Sequence, residues 1–163
     1  MAERTASAGR DTGHRLRRMT TAIPDSVREF LATGPLAHVV TLGPDGTPHV
    51  SLAWAGLEGD DLVFATFFNP DQHKIRNIRR NGRVTVSFQA NEHSGEGLHP
   101  YLVITGRGTV TEGGALEVMD RLAEHYIGPG KQFPMRQVPP GVVTRVAIDK
   151  IYGMGPWRSA AAG

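Results

Sequence analysis

From residue 36 onward, apolar and polar residues mostly alternate with the two-residue period of strands. "LAHVVTL" (36–42) is apolar and β-branched. "GPDG" (43–46) supplies a reversal, with Pro presetting φ and Asp and Gly tolerating the turn. In "TPHVSLAWAGL" (47–57), Val50, Leu52 and Trp54 fall on one face and His49, Ser51 and Ala53 on the other. That phase predicts Trp54 as a core residue opposite Ser51. "EGDD" then turns the chain into "LVFATF" (62–67). Three strands joined by tight turns predict an antiparallel meander, not βαβ units. Further strands are predicted in "RVTVSFQ" (83–89), in "YLVITGRGTVTE" (101–112) and, as one or two, in "VVTRVAIDKIYGMGPW". Gly106 and Gly108 share a face, which predicts a bulge or a close backbone approach.

Three stretches carry helical signals instead. "IPDSVREFL" has Pro24 at its start and Ser26 with Glu29 at capping-box spacing. "DQHKIRNIRRNGR" (71–83) and "GGALEVMDRLAEHYI" are the others; the latter repeats apolar residues at Leu116, Met119, Leu122, Ala123 and Tyr126. Residues 90–99 and 128–141 read as loops rich in glycine or proline. The expected fold is mainly β with a few helices (α+β): a closed or partly closed barrel of about six antiparallel strands. One domain is expected over 22–158. An aperiodic, Arg-rich segment, 1–21, is expected to be a disordered tail, with Met19 as an alternative start, and 159–163 to be a flexible tail.

Composition narrows the function classes. The chain has 163 residues, enough for one domain with a genuine core. No apolar run approaches the ~20 residues of a membrane span, and the N-terminus lacks a signal-peptide pattern, so a cytoplasmic protein is expected. There is no cysteine, hence no disulfide, thiolate zinc site or cysteine nucleophile. His93 and His99 are not at the spacing of a helical metal pair, and Glu92 and Glu96 lie in the same glycine-bearing loop; no metal is expected. The isoelectric point near 9.3 suggests anionic ligands. A net charge of +2, without basic stripes interleaved with exposed aromatics, argues against nucleic acid.

The charge is instead concentrated in 71–83, which holds Lys74, Arg76, Arg79, Arg80 and Arg83 against the single acid Asp71. At 100° per residue, Ile75 and Ile78 mark the core-facing stripe. Lys74, Asn77 and Asn81 then lie on one flank, Arg79 on the other, and Arg76 and Arg80 point away. Lys74 falls in the first helical turn, beside amides with no intrahelical acceptor and the positive end of the dipole. Those features together predict a small anion site, with Asn77 as a further donor one turn on.

The succession "PDGTPHVSLAW…LVFATF…HKIRNIRRNGRVTVSF…ITGRGTV…IYGMGPW" resembles the pyridoxamine 5′-phosphate oxidase-like split β-barrel family, in particular its branch that uses the deazaflavin F420. The resemblance implies a homodimer with the cofactor in a groove at the subunit interface. It also implies that His49, Val50, Ser51 and Leu52 lie along the ring system, and that Ala65, Thr66 and Phe67 contact the ring and ribityl chain. Lys74 with Asn77 would hold the phosphate, assisted by Arg80. His99, Pro100, Tyr101 and Trp157 correspond to positions that close the site, some from the second subunit. Flavin mononucleotide (FMN) oxidases of the family have an Arg-Lys pair where this chain has His73-Lys74. That departure favours F420 over FMN, and surplus cations such as Arg76, Arg80, Lys131 or Arg136 would meet the carboxylates of the F420 tail. The implied activity is hydride transfer between F420 and a small organic substrate, with no dedicated nucleophile and with His99 or Tyr101 as candidate proton donor. An FMN-binding oxidoreductase and a non-catalytic flavin- or haem-binding barrel are the alternative readings.

Overall fold

The computed structural model describes residues 21–69 and 71–161. The tail expected over 1–21 falls almost wholly outside the described residues. Chain order is α1 (Asp25–Leu31), β1 (Ala37–Leu42), β2 (Pro48–Ala53), β3 (Ala55–Glu58), β4 (Asp61–Thr66), α2 (His73–Asn81), β5 (Arg83–Gln89), β6 (Tyr101–Glu112), α3 (Ala115–Tyr126), β7 (Val142–Met154), then a 3₁₀ helix (Pro156–Ala161). The seven strands form one antiparallel sheet in the order β2-β1-β5-β6-β7-β4-β3. No described helix is long and apolar enough to cross a membrane.

The two edges of that sheet are consecutive in the chain, separated only by Trp54. The expected single strand 47–57 is thus one strand bent at Trp54. Its first half pairs with β1 (Ala37 opposite Ala53) and its second with β4 (Ala55 opposite Phe64). Joining the edges covalently closes the sheet into a split barrel of six strand paths and leaves no long free edge.

Inward residues meet in matched rows, such as Ala53–Ala37–Phe88–Leu102 and Ser51–Val39–Val86–Ile104. Phe64, Phe88, Leu62, Leu102 and Ile104 are fully buried among them. β6 and β7 slip register between Thr105 and Gly106. The glycine is obligatory there, because a Cβ at Gly106 would lie 2.2 Å from the Ala147 carbonyl oxygen. At Gly108 a Cβ would come within 2.9 Å of Ile78, so α2 is seated on β6 through a missing side chain.

Several expectations are corrected. Val50 and Leu52 point out of the barrel, 57% and 56% exposed, and the inward face of β2 carries His49, Ser51 and Ala53. Trp54 keeps the outward phase of Val50 and Leu52: it is only partly buried and packs outside the barrel against α3, not in the barrel core. Its ring stacks on Tyr126 at 4.9 Å and meets Phe133 edge-on at 5.8 Å. The capping box does not form. Pro24, extended at ψ 145°, occupies the cap position, its carbonyl accepts the Val27 and Arg28 amides, and Ser26 lies within the first turn. The last stretch forms one long strand followed by the 3₁₀ helix; Gly155 turns the chain (φ +155°) and Trp157 anchors it.

Tyr126 secures the bend. Its hydroxyl accepts the Ala55 N–H (3.0 Å) and donates to the Pro35 carbonyl (2.6 Å). Burial pushes its pKa up to about 12, only partly offset by the Ala55 hydrogen bond. Tyr126→Phe should therefore cost about 1–3 kcal/mol in denaturant unfolding. Because the folded pKa lies above the ordinary value near 10, the native protein's stability should hold below pH 10 and fall by roughly 2–3 kcal/mol as pH rises towards 12. The phenylalanine variant should lack that alkaline component when both are unfolded across pH 8–12 (about the range spanned by the two states).

Candidate cofactor site

α2 lies across one end of the barrel, and its amphipathic sequence dictates which side goes in. Lys74, Ile75, Asn77 and Ile78 are buried, while His73, Arg76, Arg79 and Arg80 are exposed. Gly82, in the left-handed conformation at φ 70°, ends the helix and returns the chain to β5. At the other end, the first helical bond runs from the Arg76 amide to the Gln72 carbonyl (3.0 Å). The amides of His73, Lys74 and Ile75 are left without intrahelical acceptors, and no acidic side chain occupies the first turn.

Lys74 is the unusual group. It is 5% exposed, its ammonium stands 5.6 Å from the centre of the Phe64 ring, and among the described residues it forms no hydrogen bond or ion pair. Burial alone holds its pKa below the usual lysine range. The other cations of the helix are engaged. Arg79 pairs with Glu112, and Arg76 donates to the Asp71 carbonyl (2.8 Å). Arg80 donates to the Leu42 carbonyl and to Asn77 Oδ1 (3.2 Å). The Asn77 amide in turn donates to Thr41 Oγ1 (3.0 Å), so Asn77 and Arg80 tie α2 to β1.

A cleft of about 320 Å³ opens between the start of α2 and β2, lined by His49, Ser51, Asp71, His73 and Arg76. The His49 and His73 rings stack across it at 5.3 Å. His49 Nδ1 and Ser51 Oγ are buried without a partner, as is Thr66 Oγ1 at the end of β4. Three buried polar atoms left open, together with free amides and an uncompensated ammonium, suit an oxygen-rich anionic ligand with ring heteroatoms.

The sequence-derived residues separate into groups. His49 and Ser51 face inward, whereas Val50 and Leu52 are on the outer surface; Val50 nevertheless lines the cleft beside α2 with His49 and Ser51, and Leu52 does not. Ala65 packs on the α3 side, and Phe67 stacks on Phe133 at 5.2 Å. His99, Pro100, Tyr101 and Trp157 lie at the other end of β1, where Ala37 rather than Thr41 is the register neighbour. There Trp157 is buried and donates its indole N–H to the Tyr101 carbonyl (3.1 Å). One protomer does not unite these two groups. His73 was read from the sequence only as a departure and Arg76 only as a tail cation; both line the cleft.

Residues 23–155 match the family described as pyridoxamine 5′-phosphate oxidase. The chain belongs to that family. Among solved structures it is similar to an F420 reductase (24% identity, TM-score 0.62, covering 80% of this chain and 98% of the reductase). It also resembles a conserved hypothetical protein from Mycobacterium tuberculosis (20%, TM-score 0.64, 84% and 88%) and a haem-binding protein from Mycobacterium smegmatis (18%, TM-score 0.56, 83% and 56%). At these identities the likenesses establish the fold. No curated protein matches the chain at a significant level.

The buried, uncompensated charge has a measurable signature. Lys74→Met keeps the volume and removes the ammonium, so it should raise unfolding stability by about 1–2 kcal/mol without changing the fold. Urea midpoints of the two proteins check this; a destabilised variant would show that the ammonium has a partner.

Proposed function

We propose that this family member is an F420-dependent oxidoreductase, transferring a hydride between the deazaflavin and a small organic substrate as a homodimer. The observation that carries the reading is the start of α2, where Lys74 is buried with no counter-ion among the described residues, beside amides free of intrahelical acceptors, and where a cleft opens onto the unpartnered polar atoms of His49 and Ser51. The likeness to an F420 reductase supports it. So does His73-Lys74, which offers one permanent cation where an Arg-Lys pair would offer two.

The bound cofactor would supply the hydride chemistry. The chain's own part is to bind and orient it. Lys74 and the first amides of α2 hold the phosphate, and Asn77 and Arg80 keep the helix in place. His49 and Ser51 satisfy polar ring or ribityl atoms, and Arg76 is the cation at hand for a tail carboxylate. Lys131 borders a different cavity, beside α3, and Arg136 is paired with Asp120.

The dimer accounts for the separated groups. Pairing registers place Val50–Val40–Thr85–Thr105–Lys150 and Leu52–His38–Ser87–Val103–Tyr152 in two rows across the outer sheet. These two rows carry one permanent charge, Lys150, with Arg83 and Arg107 in the row beyond, and a second copy seated on them would bring His99, Pro100, Tyr101 or Trp157 to the cleft of the first.

Titration with F420, FMN and haem tests the cofactor. F420 should bind most tightly, and Lys74→Met should weaken it about thirtyfold, or roughly 2 kcal/mol. Tight binding of FMN alone or haem alone would overturn the assignment, and F420 binding without turnover of enones or quinones would make the protein a carrier. Leu52→Glu should give monomers by sedimentation and lose most F420 affinity; a monomeric native protein that still binds would remove the dimer from the proposal.

A further inference from the structure

A second cavity, of about 590 Å³, lies between α1, the loop after β5 and the 3₁₀ helix. Phe30, Trp157, Pro100 and Pro156 supply flat apolar surfaces, and Ser26, Thr33, Asn91 and His93 supply polar ones. The Phe30 and Trp157 rings are 4.8 Å apart and tilted by 38°. The indole is fixed by its bond to the Tyr101 carbonyl and by Gly155, where a Cβ would lie 2.5 Å from the ring. The loop wall is fastened as well. The Ala90 amide donates to the Pro100 carbonyl (2.8 Å), and His99 Nδ1 lies 3.0 Å from the Ala90 carbonyl oxygen. A pocket held this firmly loses little ordering entropy when it fills.

The charge around this cavity has one sign. Glu29 and Glu92 line it, and no lysine or arginine does. The clefts beside α2, beside α3 and on the outer sheet each carry Arg or Lys. Some acids are paired within the described residues, Glu58 with Arg121 and Arg145, Asp60 with Arg28, Asp120 with Arg136 and Glu112 with Arg79, but others, such as Asp25, Asp61 and Glu117, are not. Among the described residues Glu29 and Glu92 form no ion pair.

We infer that this cavity binds a planar organic cation of two or three rings. The volume suits a ligand of that size. Aromatic faces beside carboxylates favour a flat, weakly hydrated positive charge, through cation–π attraction and ionic complementarity, and disfavour an anion of the same shape. Within one protomer the cavity shares no lining residue with the α2 cleft; in the proposed dimer Pro100 and Trp157 would also border that cleft, so the inference rests on Glu29 and Glu92, which belong to this cavity alone.

Calorimetric titration of the full chain, free of flavin and deazaflavin, decides the matter with proflavine as cation and anthracene carboxylate as anion. Proflavine should bind once per chain and the anion should not. The double variant Glu29→Gln, Glu92→Gln should weaken proflavine about tenfold while leaving the far-UV spectrum unchanged. In Trp54→Phe, the remaining tryptophan, Trp157, should be quenched along the same isotherm; if that variant fails to fold, the calorimetry on the native chain stands alone. Equal affinity for cation and anion, no binding of proflavine, or an affinity indifferent to the two substitutions would overturn the proposal.

Discussion

Closure of the barrel depends on one residue-wide bend. β2 and β3 are halves of a single strand that must leave β1 and join β4 within the span of Trp54. A bend in extended backbone strands polar groups, and here the Tyr126 hydroxyl takes up the Ala55 amide and the Pro35 carbonyl together. α3 is thus a clamp as well as a cover. The inward set of His49, Ser51 and Ala53 is fixed relative to α2 only because the strand beyond them is held.

α2 shows the opposite arrangement, in which binding chemistry works against stability. An amphipathic helix would ordinarily bury only its isoleucines, yet Lys74 is buried with them and faces the Phe64 ring. The chain could relieve this with one carboxylate in the first turn, and none is present. Under the proposed function, a ligand that brings negative charge would relieve the cost of an ammonium kept without a partner.

Much of this was legible in the sequence, and the rest was not for physical reasons. The strands, the turn at 43–46, the glycines of β6 and the inward flank of α2 all follow from local periodicity and conformational preference. The bend at Trp54 leaves no local trace, because both halves keep a strand-like pattern; the grouping of Val50, Leu52 and Trp54 on one face holds, but a large aromatic reads as core although here it packs under α3 outside the barrel. Sequence order also could not show that Asn77 and Arg80 are bound to β1, since Thr41 and Leu42 lie over thirty residues away. Nor does a single sequence say which residues share a site across two copies. His73 and Arg76 could have been found by asking which side chains flank the same free amides as Lys74.

The slip between β6 and β7 divides the chain by its tolerance to change. Gly106 admits no side chain at all, and Gly108 can gain one only by displacing α2. These positions are closed to evolutionary drift, and the barrel's geometry is inherited with them. At the tips of the segments 90–99 and 128–141 a Cβ would meet nothing at Gly95, Gly97 or Gly130, and only the left-handed backbone at Gly97 (φ +77°) and Gly130 (φ +71°) favours glycine. A lineage descending from this chain can therefore exchange its ligands by rewriting two loops while the framework beneath them stays fixed.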